Sequence, residues 1–289
     1  MNYGKHQTFY LRSNWLSKCL NINGNDFKRL QEPNSFFELG LGKNMVSSLK
    51  YWVVAVGMSD RNFDMTDIAN LAYKFDPTCK SNFIKNILQY NLVSKKDNSN
   101  DINAVFYWFF NELEGNYFSK EKLQKEFMLW SSVIEGKNVA EKTLYKDVTC
   151  LIQTYANNHK EHPEDKNYCL LADLGLIYIE SNIVIKSSID ANKISYSAMF
   201  YIILLFAENN TKLSVETLLT SIDSLGKVFN FTRNELISII EDMITNGYPL
   251  RFVNTSGLDT ITILSKTTSV EFLKCIYEKL NDGGDIYEI

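Results

Sequence analysis

Apolar residues along the chain recur mostly at helical spacing. Between residues 43 and 57 they fall at Met45, Val46, Leu49, Trp52, Val53 and Val56, which lines one face of a helix. Gly57 stands where a C-terminal cap belongs. The same reading predicts helices over residues 15–20, over 64–73 with Thr66 or Asp64 as cap, and over 81–92. A polar, turn-rich connection occupies 21–33, and Asp76-Pro77 marks a stop. Three more helices follow at 102–113, 119–134 and 139–155. Ser119 opens the second, and Leu144, Val148, Leu151, Ile152 and Tyr155 share one face of the third.

Beyond residue 168 the pattern shortens. A short helix is expected at 170–174, then two strand-like runs at 176–179 and 183–185. The last hundred residues suggest helices at 196–207, 214–229 and 232–246, with Thr232 and Glu235 at capping-box spacing. Strands at 249–253 and 260–264 would flank the turn NTSGLD, and a final helix covers 270–280. Polar stretches at 94–101 and 157–168 suggest boundaries. The expected fold is mainly α, with tandem helix-turn-helix or winged-helix-like domains carrying small β wings. The expected domains are a basic N-terminal one (1–98), a central helical one (99–190) and a C-terminal winged-helix-like one (191–289).

Composition supports helices over a loop-rich sandwich: 289 residues contain only 4 prolines and 13 glycines, and 13% are aromatic. The longest apolar run, AMFYIILLFA at 198–207, is too short for a bilayer and reads as a buried helix. The N-terminus shows no apolar export signal, so a cytoplasmic protein without membrane contact is expected. Five scattered cysteines without a CxxC pair fit reduced thiols rather than a disulfide framework or zinc ribbon.

The net charge of −4 excludes a generally basic nucleic-acid coat, but the charge is uneven. Residues 1–58 hold seven Lys and Arg against three Asp and Glu, whereas 59–190 hold 15 against 19 and 191–289 hold 8 against 12. A polyanion would be met by the N-terminal region.

The stretch LGLGKNM looks like a phosphate loop. A P-loop needs GxxxxGK[ST] after a strand. Here Gly40 and Gly42 are too close, Asn44 replaces Ser or Thr, and no βαβ unit surrounds them. Two readings stay open. One is a helix N-terminus that presents Lys43 and Asn44 to a DNA phosphate. The other is close packing around the glycines with Lys43 solvated. His159, Glu161, His162, Glu164, Asp165 and Cys169 form a polar run whose spacing fits no standard zinc module, so no metal ligand is assigned. Glu135-Gly136-Lys137 is an E-x-K of the kind used by Mg²⁺ nucleases, but it falls at a helix end and reads as a turn. Thr143, Tyr145 and Lys146, beside Lys142, line the central third helix where polar nucleic-acid contacts would lie. Thr232, Arg233 and Asn234 hold the corresponding place in the acidic C-terminal unit.

Six blocks carry a family resemblance: GKHQTFYLRSNWLSKCL, LGLGKNMVSSLKYWVVAVGM, NAVFYWFFNELEGNYFSKEKL, TLYKDVTCLIQTY, LLADLGLI and LGKVFNFTRNEL. In this order, from Gly4 to about Asp242, they resemble the prokaryotic domain-of-unknown-function family DUF4007. That family is encoded beside phosphoadenosine-phosphosulfate (PAPS)-reductase-like proteins, and GKNM followed by YW is its most specific piece. The resemblance implies a role in DNA phosphorothioation and phage-defence islands. There the family includes the B component of single-strand phosphorothioation (Ssp) systems, regarded as a nickase that prepares a strand for sulfur insertion.

The family's polar blocks fall on His6, Thr8, Arg12, Trp15, Lys18, Lys43, Asn44, Tyr51, Thr143 and Asp147. Ser13-Asn14 and Lys50 are mild departures from it. The expected DNA contacts are therefore His6, Thr8, Arg12, Lys18, Lys43, Asn44, Lys50, Thr143, Tyr145 and Lys146. No catalytic residue is assigned, and a cut would call for Mg²⁺ or Mn²⁺. The expected partners are DNA, a PAPS-reductase-like sulfur-transfer protein and other defence-system components. The alternative is a non-enzymatic winged-helix adaptor bridging DNA and that enzyme.

Overall fold

Several of the helices begin where a Ser or Thr side chain takes over a free N–H group of the first turn. The computed structural model describes residues 1–289 except 22–26, 96–101, 137, 157–168, 209 and 255–258. Helix α1 (Ser13–Leu20) is followed by a 3₁₀ turn (Phe27–Gln31), α2 (Ser35–Leu39), α3 (Lys43–Ala55), α4 (Asp67–Phe75) and α5 (Asn82–Val93). Thr66 accepts from the Ala69 N–H to cap α4, and Ser81 accepts from the Ile84 N–H to cap α5. The 3₁₀ turn lies in the stretch expected to be a plain connection, where Phe27 and Leu30 are buried, so two apolar side chains in a polar run were enough to fold it.

Two units of similar element order follow, the second with two short helices where the first has one. The first is α6 (Ala104–Tyr107), continued by a π-helical turn (Trp108–Glu112), then β1 (Tyr117–Ser119), α7 (Lys120–Glu135), α8 (Glu141–Tyr155), β2 (Ile177–Glu180) and β3 (Ile183–Lys186). The second is α9 (Tyr196–Ala207), β4 (Lys212–Ser214), α10 (Val215–Thr220), α11 (Leu225–Phe229), α12 (Arg233–Thr245), β5 (Leu250–Val253) and β6 (Thr260–Ile263). Helix α13 (Ser269–Asn281) closes the chain. Both sheets are antiparallel with the first strand added to the far side of the hairpin, in the orders β1-β3-β2 and β4-β6-β5. No helix among the described residues is long and apolar enough to cross a membrane.

Helix 214–229, expected as one piece, is two. The chain turns at residues 221–224, with Asp223 in the left-handed region at φ 62°, and Ser224 recaps α11 through the Lys227 N–H. The turn lets α11 fold back on α10 so closely that a Cβ at Gly226 would lie 2.2 Å from the Leu219 carbonyl oxygen. The expected helix at 170–174 is a short 3₁₀ turn, Ala172–Leu174.

Helix α5 is buried on nearly every face and carries polar side chains that bind the units together. Asn86 donates to the Lys193 carbonyl at 3.0 Å and accepts from the Ser195 N–H at 2.9 Å. Gln89 donates to the Val228 carbonyl at 3.0 Å and accepts from the Tyr155 hydroxyl. One core cluster runs from Leu11 to Ile286. Cys19, Cys79, Cys150 and Cys169 are buried, whereas Cys275 on α13 is exposed.

Lys186 ends β3 inside this core. Its ammonium donates to the Phe109 carbonyl at 2.9 Å and to those of Phe110 and Leu113 at 3.4 Å, satisfying the end of the π-helical turn. Burial, and then the nearby Lys227 charge, push its pKa down to about 7. Because the unfolded chain keeps the ordinary lysine value, it binds more protons than the folded one between about pH 7 and 10.5. The contribution of Lys186 to stability therefore increases as pH rises through that window and falls away as pH drops towards 7. Denaturant unfolding across the window should show this rise, and Lys186→Met should flatten it. Gly226→Ala should lower stability by about 3 kcal/mol, the upper range for an overpacked site, measured by the same unfolding curves.

Candidate nucleic-acid interface

The segment Gly4–Phe9 folds into a turn whose anchor lies far along the chain. Asp147 on α8 is 2% exposed and needs donors to stay ionised there. Its Oδ1 and Oδ2 accept from the Gly4 N–H at 2.9 and 3.2 Å, and its Oδ1 lies 2.7 Å from His6 Nε2. His6 Nδ1 accepts from the Thr8 N–H at 3.1 Å, so the ring proton sits on Nε2 and is donated to Asp147. From the other side, α3 holds the same turn. Ser48 Oγ donates to the His6 carbonyl at 2.7 Å, and Trp52 Nε1 donates to the Phe9 carbonyl at 3.0 Å. A side chain at Gly4 would meet Thr143 Cγ2 at 2.8 Å, with φ already at +65°. Gln7 (φ 52°) and Thr8 (φ 71°) also sit in the left-handed region, a strained arrangement for two side-chain-bearing residues in a row.

The latched turn separates two basic concavities. On one side Lys5 and Gln7 face Ser47, Lys50 and Tyr51 of α3 and Asp60, Arg61 and Phe63 of the α3–α4 loop, around a cavity of about 720 Å³. On the other, Thr8 joins Lys142, Tyr145, Lys146, Thr149 and Gln153 along the outer face of α8, around a cleft of about 290 Å³. The Asp60 carboxylate is taken up by its own loop, accepting from the Asn62 and Asp64 N–H groups at 2.9 and 2.8 Å. The charged side chains lining the two depressions are therefore cationic apart from Asp60.

The sequence-derived contacts divide by exposure. Lys43 and Asn44 are exposed on the first turn of α3, whose N-cap Gly42 makes no side-chain cap. The spacing 43, 47, 50 puts Lys43 on the same helical face as Ser47 and Lys50. Its ammonium also lies 5.3 Å from the Phe36 ring. Thr8, Tyr145 and Lys146 are exposed at the second cleft, where the Tyr145 hydroxyl donates to Glu141. His6 is buried and spent on Asp147, and Thr143 is half-buried against Gly4. Lys18 donates to the Leu39 carbonyl at 2.8 Å, tying α1 to the end of α2. Arg12 is half-buried with its guanidinium 5.8 to 5.9 Å from the Phe9, Tyr10 and Trp15 rings. Lys5, Gln7, Ser47, Arg61 and Phe63 were not singled out by sequence reading. Lys5, Gln7 and Ser47 lie within the family blocks and Arg61 and Phe63 outside them, and only the fold brings 5–7, 47–50 and 61–63 together.

The other candidate clusters find different roles. Gly136 (φ 61°) caps α7, and Glu135 lies 3.4 Å from the Met1 amino group, while Lys137 lies outside the described residues. Of the polar run at 159–169 only Cys169 is described. It is buried, and burial pushes its thiol up to about 12. Thr232 and Glu235 form the expected capping box, and Arg233 pairs with Glu216 at 3.6 Å and with Asp259.

The family model described as "Protein of unknown function (DUF4007)" matches residues 3–277. Two solved structures share the fold. One, described as "Magnesium ion-bound SspB crystal structure", has a TM-score of 0.80 and 18% identity over 99% of this chain and 90% of that one. The other, "SspB crystal structure", has a TM-score of 0.78 and 19% identity over 97% of this chain and 87% of that one. No curated protein matches the sequence. Among the described residues of this chain, no three His, Cys, Asp or Glu side chains gather where they could hold a metal ion.

His6→Ala would leave the Asp147 carboxylate buried beside a void, with the Gly4 N–H as its remaining partner. Stability should fall by about 3 kcal/mol, the upper range for a buried acceptor that loses a donor. Hydrogen exchange at the Gly4, Thr8 and Phe9 amides should accelerate more than at the amides of α5. Equal acceleration everywhere would show that the turn is not held locally by this bond.

Proposed function

The chain belongs to the DUF4007 family, and from that membership we propose that it is the DNA-binding component of a DNA phosphorothioation or related anti-phage defence system. The observation that carries this reading is the pair of basic concavities on either side of the latched turn. They fall in a chain whose total charge is −4, yet their charged side chains are cationic apart from Asp60. The likeness in fold to the SspB structures supports the same reading.

Both repeated units are read as winged helices, on the strength of their shared strand order. In the first, α8 holds the recognition-helix position, and its exposed Lys142, Tyr145, Lys146 and Gln153 face outward beside the half-buried Thr149. Lys43 and Asn44 at the uncapped start of α3 add a helix N-terminus to which a backbone phosphate can bind. In the second unit the equivalent helix, α12, has its Arg233 already paired with acidic neighbours, which suits a protein partner better than a polyanion. A PAPS-reductase-like sulfur-transfer enzyme would dock there. Strand nicking is the finer version of this function. The alternative is a non-enzymatic adaptor that holds DNA through its first unit and the enzyme through its second.

Affinity for duplex DNA should fall steeply with salt. Lys43→Ala with Lys146→Ala should weaken binding about tenfold and reduce the log–log salt slope by about 2, one for each phosphate that is no longer neutralised. Unchanged binding in this exposed double variant would sink the assignment of the surface. A supercoiled-plasmid assay with Mg²⁺ or Mn²⁺, alone and with the purified partner, separates nickase from adaptor. Conversion to the open circle supports the former, and intact plasmid in every lane supports the latter.

A further inference from the structure

We propose that the cavity between the latched turn and α3 receives one nucleoside 5′-phosphate unit, as an unstacked residue of a bound DNA strand. This rests on the DNA-binding reading above and names what that site takes. At about 720 Å³ the cavity is far too small for a duplex and ample for a single nucleotide. Its lining is mixed in the way such a ligand needs, with Lys5, Lys50 and Arg61 for phosphate and Phe63 and Tyr51 as rings for a base. The acidic member of the lining, Asp60, accepts from two N–H groups of its own loop. Burial above all holds the Tyr51 phenol well above its ordinary pKa, so it stays neutral.

The backbone points the same way. Two rim residues on opposite walls, Gln7 (φ 52°) and Phe63 (φ 64°), sit in the left-handed region without being glycine. Each such residue costs about 1–3 kcal/mol and persists only where its surroundings enforce it. The enforcers are visible here: the His6–Asp147 bond beside Gln7, and the two N–H bonds to Asp60 that bracket Phe63. The row formed by the exposed Lys43 and Ser47 and the half-buried Lys50 leads along α3 into this mouth, as a track for the phosphates on one side of the unstacked residue. Since extrusion from a duplex costs unstacking energy, single-stranded or interrupted DNA is the favoured form.

The test compares a fluorescent 12-nucleotide single strand with a duplex of the same sequence by anisotropy. The single strand is then competed with thymidine 5′-monophosphate or inorganic phosphate. Isothermal titration of the mononucleotide into the full chain runs in parallel. Expected are tighter binding of the single strand, competition by the mononucleotide but not by equimolar phosphate, and about a tenfold loss of single-strand affinity in Phe63→Ala. Arg61→Glu, at an exposed position, should give the same loss and decides the matter if Phe63→Ala does not fold. Wild-type single-strand affinity in the folded variants, with DNA binding and its salt slope intact, overturns the pocket and leaves the DNA-binding reading standing. Equal competition by phosphate also overturns it. If the wild type binds neither form of DNA, the wider reading fails, and the titration decides for the cavity alone. Mononucleotide heat that disappears in Arg61→Glu keeps it as a nucleotide site, and no heat removes it.

Discussion

A carboxylate removed from water must be met by donors that cannot drift away, and Asp147 meets that demand with groups 141 and 143 residues distant in sequence. The backbone of Gly4 and the ring of His6 close on it from one side while Ser48 and Trp52 of α3 hold the same turn from the other. Without that requirement the basic N-terminal segment would be a solvated arm. With it, Lys5 and Thr8 project from a fixed point between two helices, and each helix contributes its own cations. The geometry of the candidate interface is thus set by an interaction in which no DNA-facing residue takes part.

A second set of buried polar contacts fixes how this interface relates to the rest of the chain. Asn86 and Gln89 on α5 reach the segment before α9, the end of α11 and Tyr155 of α8. Replacing amide–water bonds with these directed ones costs little net energy but penalises any slippage that leaves one unpaired. The two repeated units are therefore held in register about a common helix, one presenting a basic helix face and the other an acid-paired one.

Much of the helical framework was legible because caps and apolar stripes are local signals. Thr66, Ser119 and Thr232 all cap where the sequence suggested. Strands β1 and β4 were not legible, since three residues are too few to show alternation and their partners lie far along the chain. The break between α10 and α11 was hidden because its cause is an approach between two backbones at Gly226, which no periodicity records. At the interface, Lys43, Lys50 and Lys146 were named from sequence and line or lead into the concavities. His6, Arg12 and Lys18 looked like equivalent polar contacts, yet one is consumed by Asp147, one lies among three rings and one holds a carbonyl. Residue type shows that a cation exists; only packing shows whether its charge is already engaged.

The cysteine distribution carries a practical corollary. Four thiols lie in the interior, where burial holds them protonated, and Cys275 alone stands in solvent. It sits on α13, which lends no residue to either basic concavity. A maleimide dye would therefore couple at a single, known place on the native molecule and report from outside the interface, while the unfolded chain would consume reagent at all five sulfurs. The stoichiometry of alkylation is thus a direct count of how much of the interior has opened.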